Sequence, residues 1–204
     1  GSKKGHPTQG GLDGADVTFT GGKVDADAAI GDPENGLPLI EQVVDDARIA
    51  LCAEAVGAME ESLKATLDYL KTRKQFGVPI GSFQVLQHRA ADMFVALEQA
   101  RSMALFATMA SDFDDATART KAVAAAKVQI GKSAKFVGQQ AIQLHGGIGM
   151  TQEAKIVHHF NRLTMRANTF GDPEHLRPPP SDPGAPMYPK PARDRHRSAP
   201  PPPR

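Results

Sequence analysis

The residues best suited to chemistry fall at two interruptions of long helical patterns. The first is Arg73-Lys74-Gln75-Phe76-Gly77, continued by Val78-Pro79-Ile80-Gly81-Ser82-Phe83-Gln84. An arginine at a helix end, beside a glycine turn, can donate a bidentate pair of hydrogen bonds to a phosphate. Gln84 opens the next helix, where free backbone amides favour an anion. The plainer reading is a solvated arginine and an aromatic ring covering the end of a bundle. The second interruption is Gln143-Leu144-His145-Gly146-Gly147-Ile148-Gly149. Three glycines in four residues let a ligand approach backbone atoms closely, or they simply stop a helix. No strand precedes them, so they are not a dinucleotide fingerprint.

Other reactive side chains are scattered. His158 and His159 are adjacent, so a helix points them to different sides, and with His88, His145 and His175 far apart no metal site is expected. Cys52 beside Leu51 reads as a core residue rather than a nucleophile. Met93, Met103 and Met109 read as packing or interface residues.

The elements that must position the two interruptions are helices. Ile40, Val44, Ala47, Leu51, Ala55, Met59, Leu63, Leu67 and Leu70 recur every three or four residues and predict one long amphipathic helix from Leu37. Ser82 is a candidate cap for a second, whose stripe runs Leu86, Ala90, Met93, Phe94, Leu97, Ala100, Ala104 and Leu105. Asp112 to Asp115 suits the start of a third, carrying Val123, Ala126, Ile130, Ala134, Val137, Ala141 and Leu144. A shorter fourth runs from about Glu153 to Phe170, with Val157, Phe160, Leu163 and Ala167 inward. Helices of about 30 residues are roughly 45 Å long, and short links make them antiparallel neighbours. The expected fold is mainly α: an up-and-down four-helix bundle over residues 37–173.

Upstream, residues 1–15 are Gly-rich and polar and are expected to be disordered. Residues 16–36 alternate at Asp16–Thr20 and Lys23–Ala26 around Gly21-Gly22, which predicts two short strands. Two strands do not make an independent sheet, so they read as a remnant of a larger one. Residues 174–204 form a Pro/Arg-rich tail that lacks the apolar content to fold. Pro200–Pro203 can adopt polyproline II and suit a proline-reading module, or belong to a passive tail.

The 204 residues fit one ordinary domain plus tails. The net charge of +1 conceals a tail from Arg177 to Arg204 at +4, which leaves the rest at −3. A mildly acidic body offers no basic stripe for nucleic acid. One cysteine permits no intrachain disulfide and fits a reducing compartment. No apolar run reaches the roughly 20 residues of a membrane span, and the polar opening Gly1–Gly5 lacks a secretory h-region. The expectation is a cytoplasmic chain.

The two interruptions together, at this separation within a bundle, resemble the C-terminal part of acyl-CoA dehydrogenases, from about Val17 to His175. In that family an R-x-x-F-G turn and a Q-x-x-G-G loop flank FAD, and the strand pair resembles the end of the middle β-domain. The resemblance implies an oxidoreductase in which FAD takes a hydride from the acyl β-carbon while a glutamate removes the α-proton. It assigns Arg73 to the FAD pyrophosphate, Phe76 to packing on the cofactor, Phe83 and Gln84 to the ribose–phosphate region, and Gln143, Gly146 and Gly147 to the adenine end. It also implies an oligomer, usually a dimer of dimers, with FAD shared across subunits.

The sequence departs from the family at the base. The family's Y-E-G-T segment after the last helix is replaced by Asn168-Thr169-Phe170-Gly171-Asp172-Pro173-Glu174. The alternative base position, on the first helix before an arginine, holds Ala47 in Asp45-Asp46-Ala47-Arg48. The helical N-terminal domain and most of the β-domain are not present in these residues. Asp172 is the first candidate for a substitute base, ahead of Asp46 and Glu174. A Gly-Asp-Pro ending resembles subunits of heteromeric dehydrogenases in which one partner lacks the base. The implied roles are therefore an FAD-contacting part of an acyl-CoA oxidoreductase, or an inactive structural partner subunit or remnant.

Overall fold

The computed structural model describes residues 2–7, 13–23, 25–32, 34–150, 155–169 and 171. Four helices make up the bundle: α1 (Leu37–Thr72), α2 (Gln84–Ala110), α3 (Ala116–His145) and α4 (Lys155–Asn168). α3 packs against the other three, and α1 packs against α2 and α4. This is the expected antiparallel up-and-down arrangement.

Local chemistry sets the helix ends. α1 starts after Gly36 with Pro38 in its first turn, where a missing N–H costs no hydrogen bond. Asp115 caps α3, its carboxylate accepting from Thr117 N at 2.8 Å. The second expected cap differs. Phe83 occupies the N-cap of α2 without a side-chain bond, while the Ser82 hydroxyl donates to Pro79 O at 2.7 Å. A 3₁₀ turn over Ile80–Ser82 claims the serine first.

The core follows the stripes with revisions. Every residue of the α3 stripe is buried, joined by Ala122, Ala124 and Gly138. Because α3 touches three helices, its small side chains let all of them approach. On α1, Cys52, Ala55, Val56, Met59, Leu63 and Leu70 are buried, but Ile40 and Leu67 are exposed. On α2, Met93, Leu97, Ala100 and Ala107 are buried, whereas Phe94 and Leu105 lie outside. α2 packs against α1 and α3 on one side, so only a narrow face is covered. On α4, Ile156 and Leu163 are buried, with Val157 and Phe160 half-buried.

The N-terminal residues depart from expectation. Ser2–Pro7 (β1) pairs antiparallel with Asp13–Thr18 (β2), Ser2 opposite Thr18 and Pro7 opposite Asp13. Lys23–Ala26 forms no strand among the described residues; the chain bends at Gly21 (φ +62°) and makes a single 3₁₀ turn at Ala26–Ala28. β1 carries no apolar alternation, so its pairing, made through backbone groups, left no side-chain pattern to read. Val17 and Phe19 remain exposed. The residues from 172 onward, with the expected tail, lie outside those described.

Candidate functional site

The first interruption is built on the end of α1. Arg73 is the C-cap, its N–H donating to Tyr69 O at 2.9 Å. Lys74–Gln75 (β3) and Val78–Pro79 (β4) then form a two-residue hairpin. Its central residues, Phe76 (φ +53°) and Gly77 (φ +80°), are both left-handed, as in a turn matched to strand twist. Glycine accepts that conformation; phenylalanine adopts it at a cost. Ile80 N–H closes the unit on Arg73 O at 2.8 Å. The connection then lies on α1 so closely that a Cβ at Gly81 would stand 2.9 Å from Leu70 O.

This hairpin presents Arg73 and Phe76 outward. Phe76 is 90% exposed, and its only described ring partner is Phe83, edge-on at 6.2 Å between centroids. Arg73 is exposed and makes no ion pair among the described residues. Gln84 follows as the exposed first residue of α2.

The second interruption ends α3. Gly146 (φ +61°) is the C-cap, its N–H bonding Gln143 O, and a 3₁₀ turn continues over Gly146–Met150. Gln143, Gly146 and Gly147 are exposed, and a Cβ on either glycine would meet nothing within 4 Å. Gly149 is different: a Cβ there would stand 2.6 Å from Ile142 O. The third glycine is thus needed for the fold of the loop, while the first two leave open surface.

The structure brings the two interruptions to one end of the bundle. The Tyr69 and His145 rings stack at 4.6 Å with an interplanar angle of 22°. Arg89 reaches from α2 to Gln140 of α3 at 3.4 Å. Arg73, Phe76, Phe83 and Gln84 therefore sit at the same end as Gln143, Gly146 and Gly147. Together they offer a guanidinium, an exposed aromatic face, carboxamides, a helix N-terminus and open backbone. That donor set suits a dinucleotide such as FAD, which carries phosphates and flat rings.

At the opposite end lies a polar cluster that the sequence reading passed over. Asp45 is 1% exposed. Its Oδ1 accepts from Arg48 Nη1 at 3.1 Å, its Oδ2 accepts from Thr120 Oγ1 at 2.6 Å, and Arg119 Nε stands 3.9 Å away. A groove of about 720 Å³ opens beside it, lined by Leu39, Glu41, Arg48, Arg119, Thr120 and Lys121 among others. The signal was present as an Asp-x-x-Arg spacing at Asp45 and Arg48, one face of a helix. Thr120, 75 residues distant, was not recoverable from the chain.

The remaining candidates are quickly placed. Asp46 is exposed on α1; Asp172 and Glu174 lie outside the described residues. Cys52 is buried, and burial pushes its thiol up to about 11, partly offset by the nearby Lys127 ammonium, so it is no nucleophile at neutral pH. Among the described residues no group of three or more His, Cys, Asp or Glu is placed to hold a metal, and no helix is long and apolar enough to cross a membrane.

Comparison with known proteins bears on this geometry. Residues 34–174 match the family model of the acyl-CoA dehydrogenase C-terminal domain. A probable acyl-CoA dehydrogenase of Bacillus subtilis, YngJ, is 39% identical over 139 residues, which are 68% of this chain and 36% of that protein. Butyryl-CoA dehydrogenase from Megasphaera elsdenii is 27% identical with a TM-score of 0.76, over 85% of this chain and 45% of that one. PigA, solved with FAD and proline, is 35% identical with a TM-score of 0.58, over 64% and 34% respectively. The chain spans about two fifths or less of the curated relatives it matches.

Proposed function

The chain belongs to the acyl-CoA dehydrogenase family, and from that premise we propose that it is the C-terminal helical part of an FAD-dependent oxidoreductase acting on the CH–CH group of acyl-CoA thioesters in the cytoplasm. The observation that carries this reading is the convergence of the Arg73–Gln84 connection and the Gln143–Gly147 loop at one end of the bundle. Arg73 would neutralise the FAD pyrophosphate, and Phe76 would pack on the cofactor. Phe83 and Gln84 would line its ribose–phosphate region, with the α2 N-terminus adding its dipole. Gln143, Gly146 and Gly147 would hold the adenine end.

FAD, when bound, supplies the acceptor for the hydride leaving the acyl β-carbon. The residue proposed to take the α-proton is Asp172, directly after Gly171, in place of the family's glutamate. Assembly into an oligomer, with cofactor shared between subunits, is supported by the apolar residues left exposed on α2: Phe94, Val95, Leu105, Phe106 and Met109.

The test is an FAD titration of the purified chain, followed by flavin fluorescence, with Arg73→Ala and Gln143→Ala alongside. Saturable binding weakened about tenfold in each variant, which is the loss of one charge-assisted or well-placed contact, is the expected result. Absence of saturable binding, or binding indifferent to both substitutions, overturns the assignment of the site.

A further inference from the structure

The two halves of the proposed cradle belong to different helices, and what joins them is a pair of rings. Tyr69 lies in the last turn of α1 and His145 is the last residue of α3. Both are half-buried. His145 Nδ1 lies 2.7 Å from Ala141 O in its own helix, which assigns the proton to Nδ1 and fixes the orientation of the ring. So oriented, the imidazole turns its face to the phenol ring of Tyr69 at 4.6 Å.

Each of the two residues leads through its backbone into one arm of the cradle. Tyr69 O accepts the Arg73 N–H at 2.9 Å, so the backbone that presents Arg73 hangs from Tyr69. His145 directly precedes Gly146 and Gly147, and the loop folds back so tightly that a Cβ at Gly149 would stand 3.0 Å from His145 Cβ. The stack fixes the end of α1 against the end of α3, and a shift of one helix end past the other would move the Arg73 backbone relative to the glycine loop.

Resting on the cofactor reading above, we propose that Tyr69 and His145 are positioning residues whose stacked rings set the separation between the Arg73 arm and the Gly146–Gly147 arm of the dinucleotide cradle. Neither residue is assigned a contact with the ligand. Their effect is on geometry, where a misplacement of about 1 Å is enough to weaken a two-point grip.

The experiment uses the full chain with nitroxide labels on cysteines replacing Lys74 and Ile148, two exposed positions on the two arms; the buried Cys52 stays unlabelled. His145→Ala and Tyr69→Leu remove the stack, and His145→Phe restores a stacking face without the imidazole. The expected result is a narrow inter-label distance distribution in the parent and in His145→Phe, and a broad or shifted one in the other two. FAD affinity of unlabelled chains follows the same division, falling about tenfold without the stack. An unchanged distribution in His145→Ala and Tyr69→Leu, with helicity retained, overturns the proposal. So does a His145→Phe distribution as broad as that of His145→Ala, which would assign the effect to the imidazole bond. If the parent binds no FAD, the cofactor reading fails, while the distance distributions still decide the positioning role.

Discussion

Thr120 donates its hydroxyl hydrogen to Asp45 at 2.6 Å, joining the second turn of α3 to the first third of α1. The carboxylate is buried and also receives Arg48. Removing Asp45 would take a buried carboxylate from between Arg48 and Arg119. Asp45→Ala is therefore expected to cost about 3–5 kcal/mol, and Thr120→Val about 1.5–3 kcal/mol, as for a hydrogen bond to a charged group. Urea unfolding of the two variants measures both; a loss below 1 kcal/mol for Asp45→Ala would contradict the buried arrangement.

Gly149 makes a second point of sensitivity. Its hypothetical Cβ meets backbone, Ile142 O at 2.6 Å, which cannot step aside as a flexible side chain can. Gly149→Ala is expected to destabilise by about 1–3 kcal/mol. Gly147→Ala, in open space at an ordinary φ, is expected to change stability by less than about 1 kcal/mol. Thermal melts of the pair compare the two glycines directly.

Phe76 is an aromatic held in a glycine-like conformation with nearly all of its surface in water. Such strain at an exposed position agrees with the cofactor-packing role proposed for Phe76. Phe76→Gly is expected to melt no lower than the parent, because glycine accepts a positive φ freely. The same variant is expected to bind FAD more weakly, so a titration and a melt on one preparation should move in different directions.

Cys52 gives a pH dependence with a definite sign. Burial raises its thiol from 9.0 to about 11 in the folded chain, so above pH 9 the unfolded chain loses a proton that the folded chain keeps. This contribution to stability is complete below about pH 8.5 and is lost as pH rises toward 11. The loss amounts to about 2–3 kcal/mol at most. Cys52→Ala should flatten that part of the stability profile, measured by urea unfolding at pH 8, 9 and 10. In the native state at pH 8 the thiol should resist alkylation until the bundle opens.

Much of this arrangement was legible in the chain. The α3 stripe from Val123 to Leu144 is buried throughout because a helix enclosed by three neighbours displays its full period. The exceptions, Ile40, Leu67, Phe94 and Leu105, are apolar residues in phase with a stripe that remain exposed, Leu67 and Phe94 on the walls of an open groove between α1 and α2. The Arg73 and Gly146 interruptions were legible for a different reason. Clustered turn residues, Gly77-Val78-Pro79 with Gly81 and Gly146-Gly147 with Gly149, stop the 3.6 period where single glycines such as Gly57 and Gly138 do not, so these helix ends are written locally.

By itself the sequence determined four helices, the places where α1 and α3 end, the residue types at the two interruptions, and the burial of Cys52. Each follows from periodicity or from turn chemistry within a few residues. Only the tertiary structure decided that Tyr69 meets His145, that Thr120 closes on Asp45, and that Ser2–Pro7 rather than Lys23–Ala26 pairs with the strand at Asp13–Thr18. Those contacts join residues distant along the chain, through a ring face, a hydroxyl or bare backbone groups. None of these imposes a repeat on the sequence, so packing alone selects the partner.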